Sequence, residues 1–107
     1  MNSSASVFIY EPMSVSKLTC LVSSNPISVF YWYFNETLIY QNENISIQHI
    51  NLTNEISSST LTISNTNFEN SGFYKCYAKN KIGFASNIFI LKQASMFFIL
   101  ISILIIN

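Results

Sequence analysis

The sequence predicts an all-β protein, a sandwich or barrel of about seven short antiparallel strands. Three observations carry that expectation. Apolar residues recur at period two along the chain, whereas the 3.6-residue helical period does not. Clusters of Ser, Asn, Pro and Gly punctuate the alternating runs. The two cysteines, Cys20 and Cys76, each fall on the inward side of such a run.

Taken in order, residues 17–23 set Leu18, Cys20 and Val22 on one side and Thr19 and Leu21 on the other. Ser23-Ser24-Asn25-Pro26 then turns the chain. Residues 29–34 alternate Phe30, Trp32 and Phe34 against Tyr31 and Tyr33. After the turn at Asn35-Glu36 and the loop 41–44 comes the short alternation Ile45-Ser46-Ile47. Residues 59–63, Ser-Thr-Leu-Thr-Ile, are rich in the β-branched residues that suit a pleated surface. Beyond the polar stretch 64–72, residues 73–79 put Tyr74, Cys76 and Ala78 inward and Phe73, Lys75, Tyr77 and Lys79 outward. Residues 85–91 supply the last β-rich segment. One domain over residues 7–92 is expected, with a polar flank, 1–6, and an apolar tail, 93–107.

Composition narrows the function. The chain has 107 residues, a formal net charge of zero and only 9% charged residues, with five Lys against five Glu and no Arg or Asp. A nucleic-acid binder needs a basic face to displace counterions from phosphates, and none is present. Acid–base hydrolysis needs clustered carboxylates or histidines, but His49 is the single histidine and the Glu residues are scattered. Two glycines and no Gly-rich turn remove phosphate-cradling loops. A hydrophobic content of 50% argues against disorder. A non-catalytic binding or structural module, with no cofactor, remains.

Two thiols with one distant histidine make a poor metal site. Two inward cysteines on facing sheets would instead form an inter-sheet disulfide in an oxidising compartment. Closing that loop would stabilise the fold by about 4 kcal/mol in the chain-entropy model. Trp32, on the strand after Cys20, is placed to pack against such a bridge.

The order and spacing of these residues resemble an immunoglobulin domain of the I-set type, over roughly the same span. Cys20, Trp32 and Cys76 look like its B-strand cysteine, C-strand tryptophan and F-strand cysteine. Ser59-x-Leu61-x-Ile63 is similar to the E-strand signature. The run from Asn70 through Gly72 and Tyr74 to Cys76 is similar to the D-x-G-x-Y-x-C motif. Cys76-x-Ala78-x-Asn80-x-x-Gly83 resembles the F–G hairpin. The resemblance implies a Greek-key sandwich of two antiparallel sheets, a short C′ strand near residues 38–40 and a Cys20–Cys76 disulfide. It also implies a tyrosine corner at Tyr74, a Gly72 that permits the E–F corner and a Gly83 with positive φ. Asn70 stands where the family usually has Asp. Without Arg or Asp the usual charged clamp at the base cannot form, though Asn70 can still cap its turn through its side-chain oxygen.

The ends carry further expectations. The run MFFILISILIIN, from Met96 to Asn107, is uncharged. As a helix it would cover roughly 18 Å of a hydrocarbon core about 30 Å thick. A cut-off membrane span, an anchor signal or a final core element are the readings for it, with membrane contact through Met96 to Ile106. The start shows no secretion signal, and both ends read as those of a fragment or an incomplete gene. Four N-x-[ST] triplets begin at Asn2, Asn35, Asn44 and Asn51, three of them at expected turns or exposed edges.

The expected function is protein binding in cell-surface recognition or adhesion, extracellular and membrane-proximal, with a homophilic or heterophilic partner. The proposed face carries Tyr31, Tyr33, Lys75, Tyr77 and Lys79, extended by Tyr40 and by Ile88 or Ile90. The alternative is a structural spacer of an intracellular muscle-type scaffold with its cysteines reduced.

Overall fold

Inward-facing residues at every second position require a second layer to cover them, and the chain supplies it by dividing its strands between two sheets. A computed structural model describes residues 5–94. Its strands are β1 (Ser6–Tyr10), β2 (Ser16–Ser23), β3 (Val29–Phe34), β4 (Thr37–Leu38), β5 (Ile45–Asn51), β6 (Ile56–Ile63), β7 (Gly72–Lys79) and β8 (Phe84–Gln93). A single 3-10 turn, Phe68–Asn70, precedes β7. One sheet has the order β1-β8-β7-β3-β4, and the other β2-β6-β5. Between them lies a core of Tyr10, Leu18, Cys20, Trp32, Leu61, Ile63, Tyr74, Cys76, Phe89 and Leu91.

One sheet is mixed rather than antiparallel. β1 runs parallel to β8, from Ser6 opposite Phe89 to Tyr10 opposite Gln93, while the remaining neighbours are antiparallel. The run Val7 to Tyr10 is continuously apolar and does not alternate. Its place comes from a partner more than eighty residues away, and of its side chains only Tyr10 is buried.

β5 and β6 also extend beyond the alternating runs. Gln48, His49 and Ile50 pair with Thr60, Ser59 and Ser58, so backbone bonding to a central strand continues where apolar alternation has stopped. β6 lies between β2 and β5, and its Ser57 and Ser59 are fully buried. Small side chains there leave room for Trp32, whose Nε1 donates to Ser59 Oγ at 2.8 Å.

Hydroxyls and amides hold the base of the sandwich in place of the missing charged clamp. Ser16 Oγ and Thr66 Oγ1, both buried, are 2.6 Å apart, and Tyr10 Oη meets Ser71 Oγ at 2.7 Å. Asn70 Oδ1 accepts from Asn67 N, and Asn67 Oδ1 accepts from Glu69 N, capping the 3-10 turn reciprocally. Tyr74 Oη donates to the Asn70 carbonyl at 2.6 Å. Burial, and secondarily the neighbouring Tyr10, push the Tyr74 phenol well above the usual tyrosine range, so it is a permanent donor.

The turns redistribute the glycine roles. Gly72 has φ +149°, a conformation that side chains disfavour. Gly83 carries no positive φ, contrary to expectation. Asn80 does the turning there, with its Oδ1 accepting from the backbone of Ile82 and Gly83. Asn35 (φ 46°) and Glu36 (φ 71°) form the two-residue turn between β3 and β4. Asn tolerates the left-handed region, whereas Glu36 is strained there. Glu36→Gly is therefore expected to raise stability by about 0.5–1 kcal/mol, read from the urea midpoint at constant slope.

Candidate functional site

The outward positions of β3, β7 and β8 form one continuous surface, because register fixes which residues stand side by side. Tyr31 lies opposite Tyr77 and Tyr33 opposite Lys75. Across the next ladder Lys75 faces Ile88, Tyr77 faces Ser86 and Lys79 faces Phe84. The Lys75 ammonium sits 5.1 Å from the Tyr33 ring centroid and 5.9 Å from that of Tyr77. Cation–π attraction on both sides holds the charge against the sheet rather than leaving it loose in solvent. Tyr77 also stacks on Phe84 at 5.1 Å and approaches Tyr31 at 6.4 Å. The row Tyr31–Tyr77–Phe84 is therefore a contiguous aromatic strip, with Tyr31 42% and Phe84 69% exposed.

Beside the strip lies a groove of about 340 Å³ lined by Tyr33, Asn35, Glu36, Phe73, Lys75 and Ile88. Phe73 is 58% exposed at its rim. This surface offers aromatic contact area, an ordered cation and a depression wide enough for one inserted side chain. Those are features of a protein-contact surface. No cluster of three metal-ligating side chains occurs among the described residues. His49, away from this face on β5, stacks on Phe30 at 5.5 Å.

The chain's own family follows from its layout. A family model described as Immunoglobulin domain matches residues 2–80. The chain belongs to the immunoglobulin family. The buried Cys20–Cys76 disulfide joins β2 to β7 across the two sheets, with Cα atoms 6.3 Å apart. No curated protein matches the chain in sequence. Among solved structures, immunoglobulin domains superpose on it. The complex of Dpr2 Ig1–Ig2 with DIP-Theta Ig1–Ig3 matches at 24% identity and a TM-score of 0.78, over 82% of this chain and 30% of that one. The I-band fragment I67–I69 of titin matches at 26% identity and 0.73, over 82% and 29%. Titin domain M7 matches at 20% and 0.74, over 88% and 90%. The chain thus spans about a third of the first two, which carry several domains each.

Within this immunoglobulin domain the expected residues do not all meet. Tyr31, Tyr33, Lys75 and Tyr77 come together, and Lys79 stands at the end of the strip between Val29 and Phe84. Tyr40 does not join them. It follows β4, is 74% exposed and lines a separate cleft with Phe34, Ile39 and Ile45. Ile88 lines the groove, while Ile90 lies farther along, opposite Phe73. Phe84 escaped the sequence reading because it follows Gly83 and looks like part of the turn. β8 in fact begins at Phe84. Asn44 and Asn51 are exposed at the two ends of β5. Asn35 is exposed too, but its Oδ1 accepts from Phe73 N at 3.0 Å. Asn2 and the tail from Met96 to Ile106 lie outside the described residues. No described helix is long and apolar enough to cross a membrane.

Proposed function

We propose that this immunoglobulin domain is a non-catalytic recognition module of a cell-surface or secreted protein, binding a partner protein through the outer face of β3, β7 and β8. The observation that carries this reading is the Lys75 ammonium clasped by Tyr33 and Tyr77 beside an exposed aromatic strip. Tyrosines give large contact area at low entropic cost and keep a polar tip. Lys75 and Lys79 select a partner with acidic side chains around an apolar anchor, and the anchor fits the groove between Tyr33, Phe73 and Ile88. The disulfide suits an oxidising compartment.

The test is a binding screen of the chain against a panel of extracellular immunoglobulin domains and against itself. Tyr31→Ala combined with Tyr77→Ser should weaken binding by roughly tenfold or more, as loss of central anchors does. The thermal midpoint should move by no more than about 4 °C, because Tyr31 is exposed and the half-buried Tyr77 lies outside the core. Binding that survives the double substitution removes the face from the reading. Absence of binding to every member removes the recognition role.

The likeness to titin domains favours one other reading, a spacer in an intracellular scaffold. In that case Cys20 and Cys76 of the protein taken from its own cells would be reduced, and thiol labelling before and after reductant distinguishes the two.

A further inference from the structure

The three-stranded sheet ends at β5, whose one strand neighbour among the described residues is β6. Unpaired edges template association, and proteins blunt them with Lys, Glu, Pro, bulges or short length. β4, at one end of the other sheet, is two residues long, β1 at its opposite end is five, and the edge strand β2 carries Lys17. β5 carries no Lys, Glu or Pro, and only its first half is covered: Asn42 Oδ1 and Gln41 Oε1 accept from Ile45 N and Ile47 N, and Asn42 N donates to the Ile45 carbonyl, which leaves the stretch from Gln48 to Asn51 open. The strand runs seven residues, Ile-Ser-Ile-Gln-His-Ile-Asn, pairs in regular register throughout and leaves Ile50 45% exposed. A second copy can add its own edge along the open stretch from Gln48 to Asn51.

Its two ends, however, coincide with two N-x-[ST] triplets. Asn44-Ile45-Ser46 begins one residue before the strand, and Asn51-Leu52-Thr53 begins on its last residue. Asn44, Ser46, Asn51, Leu52 and Thr53 are all exposed. Among the described residues Asn44 Oδ1 accepts from Ser64 Oγ at 3.4 Å, and neither asparagine uses its Nδ2 in a hydrogen bond. The two asparagines are seven steps apart, roughly 23 Å along a strand. Asn35 differs. Its amide lies so close to Gly72 that a Cβ there would come within 3.0 Å of Nδ2, and it borders the groove of the binding face.

We propose that N-linked glycans on Asn44 and Asn51 close off the β5 edge and prevent edge-to-edge pairing of this chain with itself. The inference rests on the extracellular reading given above. In the transfer, Nδ2 bonds to the anomeric carbon of a lipid-diphosphate-linked oligosaccharide. The carbon–oxygen bond to the diphosphate breaks, the lipid diphosphate leaves with the electron pair, and the amide gives up one proton. Bulky hydrated groups at both ends of β5 deny a neighbouring strand its approach. Because β5 belongs to the opposite sheet, the strip of Tyr31, Tyr77 and Phe84 stays uncovered.

The test produces the chain behind a cleavable secretion leader in eukaryotic cells and maps its peptides by mass spectrometry. Glycan is expected on both Asn44 and Asn51, and the secreted protein should sediment as a monomer at about 100 μM. The Asn44→Gln, Asn51→Gln double variant, with an unchanged circular-dichroism spectrum, should self-associate. Adding Gln48→Lys, an outward charge on the same strand, should return it to monomer without any glycan. If the double variant loses its native spectrum, enzymatic trimming of the folded glycoprotein provides the same comparison. Either asparagine left unmodified overturns the proposal. So does a glycan-free chain that stays monomeric, or association that Gln48→Lys does not relieve. Binding through Tyr31 and Tyr77 is measured on the same samples, so its failure would count against the recognition role and leave the edge result standing.

Discussion

Alanine at position 72 is expected to destabilise the domain by about 2–6 kcal/mol, while alanine at position 83 leaves it equally or slightly more stable. Gly72 opens β7 with φ +149°, where an L side chain pays about 1–3 kcal/mol in backbone strain. A Cβ there would also stand 2.8 Å from Asn35 Oδ1 and 2.9 Å from the Phe34 ring. Relieving that overlap shifts Asn35, which ties the β3–β4 turn to β7 through paired bonds with Phe73. Overpacking of this kind costs a further 1–3 kcal/mol or about that. At Gly83 no atom lies within 4 Å of the added Cβ and φ is not positive, so the substitution chiefly restricts the unfolded chain. Urea unfolding of the two variants beside the parent gives the comparison. Equal midpoints for the two variants would show that the corner tolerates a side chain.

Removing the disulfide should cost about as much. In Cys20→Ala, Cys76→Ala the loop of 56 residues is no longer closed in the unfolded state, a loss of about 4 kcal/mol in the chain-entropy model. Both sulfurs are fully buried in the cluster that holds Trp32 and Leu61, so the variant also loses packing. A small domain has about 5–15 kcal/mol in total, so the loss is a large share of it. Thermal unfolding followed by the near-ultraviolet signal of Trp32 should show the midpoint falling by tens of degrees, at about 4–8 °C per kcal/mol. A fall of only a few degrees would mean that the sandwich stands on its apolar core alone.

These two expectations were legible in the sequence to different degrees. Cys20, Trp32, Tyr74 and Cys76 show themselves by alternation, because a strand's two faces are a local property of the chain. The Tyr74 corner came from the resemblance to immunoglobulin domains, whereas the Asn70 cap was readable as local turn chemistry, since it bonds within three residues. Gly72 and Gly83 looked alike as turn glycines. Only the folded chain separates them, because Asn80 supplies the F–G turn and the side chains of Phe34 and Asn35 crowd Gly72.

The sequence by itself determined the strand faces, the pair of inward cysteines and the membership of the outer tyrosines and lysines in one class of positions. Tertiary structure alone decided which of them touch. β1 found a parallel place beside β8, Ser57 and Ser59 went into the core, and Tyr40 was separated from the other tyrosines. Lys75 was set between Tyr33 and Tyr77 by the pairing of β3 with β7, strands separated by three others in the chain. The reason is physical. Period and turn chemistry act over a few residues, but register is chosen by non-local backbone pairing under a shared core, and no local pattern encodes the partner.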